Sequence, residues 1–162
     1  MTVCTRIAIG ELHTRISVEG GPGPAFDVDL RIGLAQPGRG PFRHQPPSEH
    51  ELESAIAFVE EAVMPLAGVL PPETKLITSD AMAVRLRALV QRATPGEAPA
   101  ALTLAQVEHV FGELAAVSLG RPASSSRFPA DGPFVAYVLV LREFMHHLAF
   151  EAIGIEDAAA SA

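Results

Sequence analysis

The chain has 162 residues, 48% of them apolar and 19% charged, and twelve Lys and Arg against nineteen Asp and Glu give a net charge of −7. Length and apolar content of this order build one globular domain with a real core and exclude a disordered segment. The single cysteine, Cys4, excludes a disulfide scaffold, and the acidic balance, with a pI near 5.3, argues against nucleic acid as a partner.

The opening MTVCTRIAIG has no basic stretch followed by an apolar run, so no signal peptide is expected. The longest apolar tract, Pro133 to Ile155, carries Arg142, Glu143, His146, His147 and Glu151. A bilayer core would not accept so many polar groups, so no membrane partner is expected and a cytoplasmic location is the default.

Residues 3–35 read as a three-stranded antiparallel meander. Val3, Thr5, Ile7 and Ile9 alternate, as do Leu12, Thr14, Ile16 and Val18, and then Phe26, Val28, Leu30, Ile32 and Leu34. A period of two means strands with one buried face. Gly10-Glu11 suits a two-residue turn, and Gly20-Gly21-Pro22-Gly23-Pro24 a second break. The two-residue turn places Arg6 opposite Arg15 on the polar face, with Asp27 and Asp29 in reach to offset them. That face is expected to be solvated and laced with ion pairs; the alternative is an anion or partner site using Arg6, Arg15 and Arg31.

Residues 36–47, QPGRGPFRHQPP, form a long loop with Arg39, Arg43 and His44 around Phe42. Loops this long are functional or mobile. No Lys-Ser/Thr ending and no GxGxxG is present, so it is not a familiar phosphate loop. Arg6, Arg15, Arg39 and Arg43 remain the candidate anion- or ligand-binding residues.

Ser48 and Glu51 make a capping box for a helix over about 49–69, whose stripe is Leu52, Ile56, Val59, Val63, Leu66 and Leu70. Pro65 should kink it or end it early. Lys75–Thr78 reads as a short fourth strand, and Ser79 or Asp80 caps a helix over 80–93 with Met82, Leu86, Leu89 and Ala93 inward. Ser48 to Glu73 holds six acids and no base, while Lys75 to Arg92 holds four bases and one acid. An antiparallel pair of helices with complementary faces would explain the contrast.

Residues 94–102 read as a linker. Thr103 and Gln106 form a second capping box for a helix over 104–119, and Gly120 sits where a terminating glycine belongs. After a loop at 121–132, the last helix is expected over 133–153, nearly all apolar in its first half, with 156–162 a flexible tail. The whole is a single α+β domain over 1–155: a small antiparallel sheet with about four helices on one face. The excess of apolar helix surface favours a homodimer.

Chemistry concentrates at Glu143-Phe144-Met145-His146-His147, followed by Glu151. On one continuous helix Glu143, His147 and Glu151 form a ladder on one face, and His109 is the cross-helix partner. Such a set suits a divalent metal: zinc, iron or manganese. No organic cofactor is expected. Glu143 and His146 also make an ExxH pair, but no second such pair, HExxH or CxxC supports a metal, no nucleophile elbow is present, and Cys4 has no neighbouring His. The residues therefore favour an oligomeric cytoplasmic module that binds a partner or small ligand without catalysis. The alternatives are a metal-dependent enzyme using the ladder and an anion-binding regulatory domain.

Overall fold

The computed structural model describes residues 2–94, 96 and 100–157. Its strands are β1 (Cys4–Ile9), β2 (Thr14–Glu19), β3 (Phe26–Leu30), β4 (Lys75–Thr78), β5 (Ala101–Thr103) and β6 (Ala152–Ile155). The helices are α1 (Glu49–Val63), α2 (Ala81–Ala93), α3 (Leu104–Ser118) and α4 (Gly132–His147). They make an α+β domain around one six-stranded mixed sheet of order β3-β2-β1-β4-β6-β5.

The expected meander is present as β1, β2 and β3, paired antiparallel. The sheet does not stop there. β4 pairs parallel with β1, β6 parallel with β4, and β5 antiparallel with β6. The sheet centre is thus parallel, and parallel neighbours need crossover connections, here carried by the helices. Thr5, Ile7 and Ile9 of β1, Leu76 and Thr78 of β4, and Ile153 and Ile155 of β6 are buried beneath those helices. The alternate residues, among them Arg6, Ala8, Arg15 and Glu19, face the other way and are partly or fully exposed.

The β1–β2 connection differs from the expected two-residue turn. It spans Gly10 to His13, with the Gly10 N–H donating to the His13 carbonyl at 2.9 Å. Leu12 consequently sits in the turn, 52% exposed, and not on the inward face. The register then pairs Arg6 with Ser17 and Ala8 with Arg15, so the two arginines do not oppose each other. β3 ends at Leu30 because the chain folds back at Gly33, where Leu34 and Ala35 donate N–H bonds of 2.9 Å to the carbonyls of Gly10 and Glu11. A Cβ at Gly33 would stand 2.4 Å from the Glu11 oxygen and 2.5 Å from that of Gly10, so only glycine admits this approach.

Both capping boxes form: Ser48 with Glu51 on α1 and Thr103 with Gln106 on α3. Pro65 does end α1, because its ring removes a donor; the chain tightens into a 3-10 turn over Met64–Leu66. α2 is rotated from its expected face, burying Ala83, Leu86 and Val90, with Met82 and Leu89 only partly covered. The complementary pair of helices does not form. α1 packs chiefly on α4, and among the described residues no ion pair joins α1 to α2. The α2 cations turn elsewhere: Arg85 lies 5.3 Å over the Phe134 ring, and Arg87 meets Asp157.

α4 is the central element. Every residue from Phe134 to Leu141 is at most 1% exposed, enclosed by α1, α3 and the sheet. The apolar surface that suggested a dimer is therefore satisfied within one chain. α4 is also shorter than expected. It stops at His147, and Ala149 takes a left-handed conformation (φ 59) with no glycine to announce it. Phe150 then donates its N–H to the Met145 carbonyl at 2.9 Å and stacks on Phe144 with ring centroids 5.7 Å apart. The residues expected to finish the helix become β6. β5 likewise begins in the expected linker and runs onto the cap residue Thr103.

Of the expected tail, Glu156 and Asp157 are ordered against Arg6 and Arg87, and residues 158–162 lie outside the described residues. No helix among the described residues is long and apolar enough to cross a membrane.

Gly33→Ala is expected to destabilise the domain by about 1–3 kcal/mol, the usual consequence of forcing atoms into a filled space. Urea unfolding of both proteins checks this; an unchanged midpoint would show that the Gly33 contact with the turn yields freely.

Candidate active site

Strands β1 and β4 lie side by side and parallel, and the chain leaves them in opposite directions. From β1 it runs outward to β2 and β3; beyond β4 the sheet continues to β6 and β5. In open sheets with parallel strands, ligands collect at the carboxyl ends of the strands where the strand order reverses. Ile9 ends β1 there. Thr78, Ser79 and Asp80 lead from β4 into α2, and the amino-terminal half of α4 reaches the same place.

Asp80 is the group these elements converge on. It occupies the N-cap position of α2, yet its side chain makes no bond to that helix. Its Oδ2 instead accepts the Ile9 backbone N–H at 3.0 Å and the Tyr137 hydroxyl at 3.1 Å. The Asp80 N–H donates to Thr78 Oγ1 at 3.1 Å. Tyr137 is wholly buried in α4. Burial, reinforced by the charge of Asp80, pushes its phenol well above the usual range, so it remains a hydrogen-bond donor. Burial also raises the Asp80 carboxyl, against the opposing pull of Ile9, Tyr137 and Thr78. Oδ1 makes no hydrogen bond among the described residues, although the Thr78 hydroxyl lies near enough to the carboxyl to pull its pKa down. A carboxylate with one oxygen unbonded can accept a proton or meet a cation.

The sequence points to Asp80 only as a helix cap. The signal that could have found it is the lone tyrosine: a phenol in the middle of an all-apolar helix must reach a polar partner.

The four residues expected to bind metal are not assembled. Glu143 is 1% exposed, and its two oxygens are already taken by Arg142 at 2.5 Å and by His147 Nε2 at 2.9 Å. Glu151 lies beyond the end of α4, where its carbonyl accepts the Leu104 N–H. His109 is exposed on α3, in a cleft with Val90 and Phe128. Among the described residues no group of three or more His, Cys, Asp and Glu is placed to hold a metal ion.

Two of the four candidate anion-binding arginines are already occupied. Arg6 donates to Glu19 at 2.7 Å and to Glu156 at 2.9 Å, and Arg15 pairs with Asp27. The Glu19 pairing holds the Arg6 guanidinium more firmly charged and lowers the Glu19 carboxyl. Arg39 and Arg43 are exposed in the 36–47 loop, with no ion pair among the described residues.

Solved structures share this fold. A type II variant Ppx/GppA phosphatase from Aquifex aeolicus superposes with a TM-score of 0.74 at 16% identity, covering 96% of this chain and 53% of that one. An exopolyphosphatase from Cytophaga hutchinsonii gives 0.68 at 15% identity, over 96% and 53%. An exopolyphosphatase-like protein gives 0.62 at 13% identity, over 94% and 54%. The chain spans about half the length of these structures. No family model and no curated protein matches the sequence. At such identities the likeness is one of fold. It overturns the expectation of a non-catalytic binding module, which rested on missing catalytic motifs: the architecture is one that phosphatases use over nearly the whole of this chain.

Asp80 gives a pH test. A carboxyl raised on folding contributes stability that is complete below its ordinary value of 3.8 and is lost as pH rises through the folded value. Asp80→Asn keeps an acceptor for Ile9 and Tyr137 without the charge. The variant should match wild type in acid and become progressively the more stable as pH rises above about 4. Denaturation midpoints across that range decide it, and a difference independent of pH would contradict the burial of a charge.

Proposed function

We propose that this chain is a phosphohydrolase domain that cleaves a phosphoester or phosphoanhydride at the carboxyl edge of β1 and β4, with Asp80 as its general base. The observation that carries this reading is the position of Asp80. It is a half-buried carboxylate with a raised pKa, at the strand ends of a fold shared with phosphatases. Phosphoryl transfer asks little covalent chemistry of a protein; it needs an oriented nucleophile and charge stabilisation.

Ile9 N–H and the Tyr137 hydroxyl fix Oδ2 and leave Oδ1 without a hydrogen bond among the described residues. Oδ1 takes a proton from a water as the water oxygen bonds to phosphorus and the bond to the leaving oxygen breaks. Tyr137 is a positioning residue: buried and protonated, it keeps the carboxylate in one rotamer. The metal-dependent alternative fits here better than at α4. Magnesium is commonly held by one or two carboxylates together with substrate phosphate oxygens, and Asp80 suits that role without a three-ligand cage. When bound, such a cation would neutralise charge on the phosphate.

Phosphate release from p-nitrophenyl phosphate and from tripolyphosphate, with magnesium or manganese, tests the reading. Wild type should turn over at least one of them, and Asp80→Asn should lose about 100-fold or more in kcat. Tyr137→Phe should lose less and shift the acidic limb of the pH profile. A wild-type rate no greater than buffer, or an Asp80→Asn variant of full activity, overturns it.

A further inference from the structure

The loop over 36–47 is not a slack connection. Pro37 and Pro47 are buried, Gly38 lies against Ala55 of α1, and Phe42 lies against Gly132 at the start of α4. The anchored loop and α1 enclose a cleft of about 310 Å³, whose lining includes Arg39, Arg43, His50, Ser54, Phe42 and Glu51. Of the twelve bases, Arg6, Arg15, Arg87, Arg121 and Arg142 are paired with a carboxylate among the described residues. Arg31, Arg39, Arg43, Lys75, Arg85, Arg92 and Arg127 are not, and of these Arg39 and Arg43 line this one cleft.

Glu51 is the acid nearest to hand, and it is engaged elsewhere. Its oxygens accept the backbone N–H of Arg43 at 2.5 Å, the backbone N–H of Ser48 at 2.8 Å and His44 Nδ1 at 3.0 Å. Burial by itself would raise its pKa; the donors from Ser48, Arg43 and His44 hold it at about 2. The surroundings therefore keep an anion charged, and the guanidinium groups stay free for another.

We propose that the cleft between the 36–47 loop and α1 is a binding site for a phosphate-bearing anion, gripped by Arg39 and Arg43. Planar guanidinium forks match the oxygens of a phosphate in pairs, and two on a fixed loop specify it better than mobile lysines would. The site goes beyond the proposed hydrolysis, since none of its lining residues is a partner of Asp80. The anion is either free phosphate or the end group of a longer phosphorylated ligand; the chemistry of capture is the same.

Titration calorimetry and thermal melting of the full chain with inorganic phosphate and with tripolyphosphate, at constant ionic strength, test the site. Both anions should raise the wild-type melting temperature and bind saturably. Tighter binding of tripolyphosphate assigns the cleft to an end group, and equal binding to free phosphate. Arg39→Ala and Arg43→Ala, made singly, should each weaken binding at least tenfold, whereas Arg92→Ala, an equal loss of one exposed charge on α2, should leave it unchanged. Asp80→Asn should also leave it unchanged, so loss of hydrolysis with retained binding defeats the proposed activity and not this site. No saturable binding by wild type, or equal weakening by Arg92→Ala, overturns the site.

Discussion

A helix that is apolar on every side must be enclosed, and α4 is. From Phe134 to Leu141 it offers no face to water, so α1, α3 and the sheet close around it. Burying a single large apolar side chain is worth about 1.5–3 kcal/mol, and α4 places Phe134, Leu139, Leu141, Phe144 and Met145 in the core together. The one polar group in that run is the Tyr137 hydroxyl, and leaving it unpaired there would cost about 1–3 kcal/mol. Asp80 satisfies it and at the same time accepts the Ile9 N–H. The packing of the central helix thus determines the state of a carboxylate at the strand ends.

The two ends of the sheet have different chemistry as a result. At the carboxyl ends of the parallel strands, Asp80 is raised by burial and is hydrogen-bonded through one oxygen. Toward the far end of α4, Glu143 is more deeply buried, but Arg142 and His147 take both its oxygens, and Arg142 also stacks 5.0 Å over Phe111. Glu143 is thus hydrogen-bonded through both oxygens, and Asp80 through one.

The uncovered face of the sheet follows the ordinary rule for exposed charge. Arg6 links β1 to Glu19 on β2 and to Glu156 past β6, and Arg15 links β2 to Asp27 on β3. Exposed pairs of this kind add little stability individually. Arg39 and Arg43 make no such pair among the described residues, and they line the same cleft.

Local patterns settled much of this protein. Alternation built β1 to β3, Ser48 and Thr103 started their helices, and Pro65 stopped α1, because each is a contact among residues close in sequence. What lay beyond them needed distant partners. β5 and β6 are strands of three and four residues that exist only because β6 finds β4 and β5 finds β6. The spacing of Leu148, Ala152 and Ile155 mimics a continuing helix, and an alanine at the left-handed turn hides its end. That break removed Glu151 from the ladder with Glu143 and His147. The meeting of Asp80 with Tyr137, 57 positions apart, depends on which strand lies beside β1, and no local preference encodes that adjacency.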